Sequence, residues 1–184
     1  TGFVYDRISR KGLESAVASG EGFSVGAASY EALVVSDFPV ATPEAMASLE
    51  ALASAGVPIL VMGGLPSRAP GLVDHEARDL AVTESAARLA SAVRAVTTAS
   101  ELGPALLSAG LTPALSAPSG EAFVFSPERR VTPRGDLVLL FNESNEDRHQ
   151  TLAVHLDASS VDVLDPSTGG VLERVSLVTA APSV

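Results

Sequence analysis

One stretch governs what this chain can fold into: residues 32–62 read strand, helix, strand, with boundary signals at each joint. Ala32-Leu33-Val34-Val35 is an apolar run bounded by Ser36, Asp37 and Pro39, as in a parallel strand buried on both faces. Thr42 stands where an N-cap belongs, Pro43 at N1 and Glu44 in the first turn, where the helix dipole favours a carboxylate. Ala45, Met46, Leu49, Leu52 and Ala53 recur at helical spacing, and Gly56 supplies the stop. Val57-Pro58-Ile59-Leu60-Val61-Met62 is a second buried strand, with Pro58 at its start, where a missing N–H does least harm. Such a unit pairs its strands in parallel through a right-handed crossover.

The flanks extend the pattern. Phe3-Val4-Tyr5 reads as a short strand, followed by a helix over 10–19 that Gly20 ends. Beyond Gly63-Gly64 and a Pro-containing loop, helical material runs over 74–96, with Leu80, Ala87, Leu89, Val93 and Val96 as its apolar members. A further helix fits 101–109, with Ser100 as N-cap, Gly110 as stop and Pro104 in the first turns. Near residue 115 the pattern changes from Ala-rich helices to Val, Thr, Phe and turn residues. Strands are expected over 121–126 (with Phe123-Val124-Phe125), over 136–142 after the turn Thr132-Pro133-Arg134-Gly135, and over 151–157. A hairpin is expected from 161–164 and 171–178 around Asp165-Pro166-Ser167-Thr168-Gly169-Gly170. The expected fold class is therefore α/β followed by all-β. It comprises an α/β domain over 1–115 and an antiparallel β-sandwich over 118–184, incomplete with about five strands.

Composition narrows function by exclusion. With no Cys among 184 residues, disulfide frameworks, thiolate metal sites and Cys nucleophiles are ruled out, though either redox compartment stays open. A net charge of −10 argues against nucleic acid as a partner, because phosphates demand a basic face. No apolar run approaches the roughly 20 residues of a membrane-spanning helix, so no membrane partner is expected. The opening Thr1-Gly2-Phe3 lacks an initiator Met and any signal-type segment, and the chain reads as a piece of something longer.

Ligands of open parallel sheets sit beyond the carboxyl ends of the strands. Here those ends are Ser36-Asp37 and Gly63-Gly64-Leu65-Pro66-Ser67, which makes Asp37, Gly63, Gly64 and Ser67 the candidate ligand-binding residues. A plainer account has Gly63-Gly64 making a tight turn and Asp37 capping one. No Gly-x-Ser-x-Gly elbow and no phosphate-binding loop is present, since Gly20-Glu21-Gly22 leads into a strand-like run rather than a helix. His149 and His155 flank the start of the 151–157 strand and could share an outer face with Asp157, although a zinc site wants three converging ligands. Asn142-Glu143-Ser144-Asn145-Glu146-Asp147 is rich in oxygen ligands but misses the calcium-loop spacing, and reads better as a polar hairpin loop. Arg129-Arg130 reads as an exposed strand-end pair rather than an anion clamp. No catalytic residue, metal ion or cofactor is assigned.

In order along the chain, Tyr5-Asp6-Arg7-Ile8, Tyr30-Glu31-Ala32-Leu33-Val34-Val35, Leu49 through Gly56, and Gly63-Gly64-Leu65-Pro66 resemble the region behind the catalytic barrel of bacterial α-L-rhamnosidases. Arg130, Gly135-Asp136-Leu137-Val138-Leu139-Leu140-Phe141-Asn142 and Leu164-Asp165-Pro166-Ser167-Thr168-Gly169 continue the match. The resemblance implies a flavodoxin-like parallel-sheet domain over 1–115, lacking the family's first strand and helix, then the start of a β-sandwich. It also implies a non-catalytic accessory role beside the catalytic barrel and flanking β domains of a parent chain, with carbohydrate as a candidate ligand. The family's catalytic carboxylates belong to the barrel, so none carries over. Alternatives are a carbohydrate-binding module or a free-standing α/β ligand-binding domain using the strand ends near Asp37 and Gly64.

Overall fold

The computed structural model describes residues 2–20, 22–117, 122–156 and 158–177. A short helix α1 (Arg10–Glu14) leads into a three-stranded antiparallel sheet of β1 (Val17–Ser19), β2 (Gly22–Val25) and β3 (Ala28–Tyr30). Next come β4 (Leu33–Ser36), α2 (Pro43–Ser54), β5 (Ile59–Met62), α3 (His75–Leu89), β6 (Arg94–Val96) and α4 (Ala99–Ser108). The remainder is β7 (Leu115–Ser116), β8 (Ser126–Thr132), β9 (Gly135–Phe141), β10 (Ala153–Val154), β11 (Ser160–Leu164) and β12 (Val171–Ser176). The fold is thus mixed α/β, with one parallel sheet and several small antiparallel ones.

The strand–helix–strand unit forms where its signals stand. Thr42 Oγ1 accepts from the Ala45 N–H at 3.1 Å, and donates to Glu14 Oε1 at 2.7 Å, which fastens α1 to the start of α2. At the other end Gly56 adopts φ +84°. Its N–H bonds Ala53 O and the Val57 N–H bonds Leu52 O, closing the helix with paired reverse bonds while Leu52 and Val57 bury together. β4 and β5 run parallel with Leu33 opposite Ile59 and Ser36 opposite Met62.

β6 joins β5 in parallel, giving the order β4-β5-β6. Period-2 alternation divides the sheet's side chains. Leu33, Val35, Ile59 and Val61 pack with Met46 and Leu49 of α2 and Val82 and Leu89 of α3. Leu60 points the other way and packs with Val96 and Ala105 of α4. Helices therefore cover both faces of β5, but Val34, on the α4 side of β4, stays 40% exposed.

Several expected elements differ. Phe3-Val4-Tyr5 is not a strand, and Tyr5 lies 74% exposed. The helix expected over 10–19 stops at Glu14. Residues 17–19 instead pair with β2, and Gly20 at φ +60° lies between the two strands rather than capping a helix. The helix expected over 74–96 ends at Leu89, and Arg94–Val96 forms the third parallel strand. Val96 is apolar because it faces α4, not because it continues a helical stripe. α4 starts at Ala99, with Thr98 rather than Ser100 at the N-cap. That places Pro104 at the sixth helical position, past the first turn, where it removes a bond to Ser100 O.

Phe123-Val124-Phe125 precedes the strand β8 instead of lying in one. Of the alternating 151–157 run, Ala153 and Val154 alone pair as a strand, with Ser116 and Leu115; its last residue, Asp157, lies outside the described residues, as do Glu121 and Val178. The β11–β12 hairpin forms about its expected turn, and β9 follows the expected Thr132–Gly135 turn, but its partner is a strand over Ser126–Thr132 that was not expected; each pair is a separate two-stranded sheet.

Candidate functional site

The carboxyl ends of the three parallel strands carry Asp37, Gly63-Gly64 and Thr97. Asp37 leaves β4 in the left-handed region, φ +49°, and its N–H reaches Met62 O at 3.3 Å. Gly63 follows at φ +88°, and a Cβ there would lie 3.2 Å from Asp37 Oδ1. Glycine thus admits the Asp37 carboxylate beside the end of β5, so the structure brings these two expected residues together.

The other two play different parts. Gly64, at φ +93°, turns into open space. Ser67 is exposed, and its N–H bonds Pro39 O at 3.2 Å, two residues past Asp37. The 39–41 and 67–68 segments run side by side through a Val40–Arg68 bridge and the Ala41 N–H to Arg68 O bond. Ser67 therefore serves through its backbone, extending the β4–β5 pairing past the strand ends.

The third strand end was missed by sequence reasoning. The Glu101 carboxylate accepts from the Thr97 N–H at 3.0 Å and from Thr97 Oγ1 at 2.9 Å. The Thr97 backbone bond, followed by its hydroxyl bond, holds the Glu101 carboxyl below its ordinary range. The signal was legible as Thr98-x-x-Glu101, the spacing of a capping box, once Ser100 is not taken as the cap. Chemically, the strand ends offer Asp37 as a solvent-facing carboxylate and Glu101 as one already engaged in holding its own helix start.

The two best-formed concavities lie elsewhere, and both are shallow and open. One, about 430 Å³, is lined by Phe23, Tyr30 and Glu31 on the β2–β3 hairpin. The other, about 620 Å³, is lined by Phe125, Leu140, Leu152, Arg148, His149 and Thr151, with Gln150. Gln150 shapes that second cleft: its Oε1 accepts from the Val124 N–H at 3.2 Å and its Nε2 donates to Ala122 O at 2.6 Å. This clasp holds the segment ahead of β8 against the irregular 148–152 segment, so Phe125 becomes a cleft wall.

The remaining candidates resolve locally. His155 Nε2 lies 2.7 Å from Ser116 Oγ beside the β7–β10 pairing, and His149 lines the second cleft, so the two histidines do not share a ligand set. Asn142 Oδ1 accepts from the Ser144 N–H and hydroxyl and its Nδ2 donates to Glu146 O, closing the oxygen-rich loop on itself. Arg129 pairs with Asp136 at 2.7 Å across the β8–β9 hairpin, while Arg130 points to the opposite face, so they form no clamp. Among the described residues no group of three His, Asp or Glu could hold a metal ion, and no helix is long and apolar enough to cross a membrane. Protein-family models, curated proteins and solved structures offer no match to this chain.

Proposed function

We propose that this chain is a non-catalytic, architectural segment of a carbohydrate-active enzyme resembling the α-L-rhamnosidases. Its parallel sheet would be the flavodoxin-like layer of that architecture and its hairpins part of an antiparallel sandwich. The observation that carries this reading is the surface of β11–β12. Leu172 is 69% exposed and Val171 57%, with Val163, Leu164 and Val175 at about two-fifths each. Apolar side chains clustered on one small hairpin mark a surface that another element covers. The uncovered Val34 side of β4 is a second such surface. The purified chain is expected to leave an aryl α-L-rhamnoside unhydrolysed. Turnover that a single carboxylate substitution within it abolishes would refute this.

The carbohydrate-binding reading is favoured by one observation. Phe125 forms the wall of a cleft whose rim carries Arg148, His149 and Thr151, an aromatic face beside hydrogen-bonding groups. Under that reading, calorimetry detects saturable oligosaccharide binding that Phe125→Ala removes. Heats that do not saturate dismiss it.

A further inference from the structure

The β8–β9 hairpin has two unlike faces. Its register sets Pro127 opposite Leu140, Arg129 opposite Val138 and Val131 opposite Asp136 on one face. On that face Arg129 and Asp136 pair, Pro127 and Val138 are half-buried and Leu140 lines the second cleft, while Val131, beside the turn, is 76% exposed. The other face sets Ser126 opposite Phe141, Glu128 opposite Leu139, Arg130 opposite Leu137 and Thr132 opposite Gly135. There Leu137, Leu139 and Phe141 are 49%, 50% and 59% exposed in a row along β9. Glu128 and Arg130 form a parallel row along β8, and among the described residues neither has an ion-pair partner.

We propose that this second face, with its apolar row beside its charged row, is the interface between two copies of the chain. The pattern is self-complementary about one level of the hairpin, that of Arg129 and Val138. A two-fold axis lying between two stacked hairpins, perpendicular to the strands at that level, lays each strand over its own copy in reverse. Leu137 then meets the partner's Leu139, and Glu128 meets the partner's Arg130, each contact occurring twice. Phe141 meets the partner's Gly135, where open space surrounds the position a Cβ would take. The apolar β9 rows pack along one side, the oppositely charged β8 rows meet along the other, and the largest ring opposes the residue without a side chain. An isologous interface requires that kind of matching. Stacked sheets about 10 Å apart suit both the leucine rows and the reach of Glu and Arg. Two-stranded hairpins are marginal by themselves, and stacking covers the exposed face of each. This inference goes beyond the architectural reading and does not depend on it.

Sedimentation equilibrium of the 184-residue chain tests it. A monomer–dimer equilibrium is expected. Glu128→Arg sets like charges face to face twice and weakens association at least ~10-fold. Adding Arg130→Glu to that variant restores complementarity and returns the dissociation constant toward its original value. Leu139→Asp abolishes the dimer. All these side chains are exposed, so circular dichroism of each variant should match the parent's. A monomer at every concentration up to about 1 mM overturns the proposal. So does a dimer indifferent to Leu139→Asp and Glu128→Arg, or a charge swap that fails to recover association.

Discussion

Leu49 and Leu60 are each 1% exposed, whereas Leu139 and Leu172 are 50% and 69% exposed, although all four sit in well-formed helices or strands. Up to Leu115 the chain builds buried layers, with α2 and α3 on one side of the parallel sheet and α4 on the other, although Leu72, Val73, Leu80 and Leu107 stay exposed. From Ser126 onward the described residues form two hairpins, whose apolar side chains meet water, and the short β10, and none of them is in the buried core. The change from Ala-rich helices to Val, Thr and turn residues does not explain this difference between the two regions, since both carry many aliphatic residues. What separates them is whether a second layer lies over the strand, because a hydrophobic residue stabilises a fold only by the area it removes from water. The hairpins hold their shape through backbone ladders and cross-strand ion pairs, such as Arg174 with Asp162 at 2.5 and 2.7 Å, which contribute little when exposed.

The sharpest way to break this contrast is truncation in each region. Leu49→Ala should cost about 2–5 kcal/mol in denaturant unfolding, because it leaves a cavity between α2 and its neighbours. A cost below ~1 kcal/mol would mean the first region is not the stable one. Amide exchange should then map the same division: β4, β5 and α2 exchange only on global unfolding, while β8–β9 and β11–β12 exchange by local opening. Equal protection of both regions would contradict it.

A smaller loss is expected for Thr42→Ala, about 1 kcal/mol, since Thr42 both caps α2 and holds Glu14. Smaller still is an effect of pH. The Arg88 guanidinium, at 2.9 Å from Glu50 Oε1, and then the Ser85 hydroxyl hold the Glu50 carboxyl below its ordinary range. The unfolded chain therefore takes up this proton first as pH falls. The stability that this group lends to the α2–α3 contact is full above the ordinary carboxylate range and fades as pH drops through it. Glu50→Gln should lower the melting midpoint by a few degrees at neutral pH and shrink the difference in acid. A difference that grows in acid would reverse the assignment. The least effect belongs to Leu172→Ser, within ~0.5 kcal/mol in the isolated chain, and a larger loss would show β12 to be packed.

The legible parts of the sequence share a property: their signals act within a few residues. Thr42, Pro43 and Gly56 bound α2 through backbone bonds they make or forgo locally, and the turn residues of Asp165–Gly170 set the β11–β12 hairpin as those of Thr132–Gly135 set the start of β9. Gly110 likewise closes α4, its N–H bonding Leu107 O. Misreadings arose where one local pattern served two structures. Val93 and Val96 sit at helical spacing after Leu89, yet Val96 belongs to a strand whose partner, β5, lies over thirty residues upstream. Residues 17–19 extend a plausible helix until β2 is present to pair with them. At the candidate site Asp37 and Gly63 were readable because a strand end must turn there. The Glu101 bond to Thr97 was hidden by a misplaced helix start.

By itself, then, the sequence determined a parallel strand–helix–strand unit with capped ends, a later change to hairpins, and the absence of any cysteine chemistry. Each follows from residue type, local spacing or plain count. Tertiary structure alone decided that β6 completes the sheet, that the Ser67 backbone pairs with Pro39, and which apolar rows are buried. Those outcomes depend on which surfaces meet across long sequence separations, and the free energy of burial belongs to the pair of surfaces rather than to either stretch of chain.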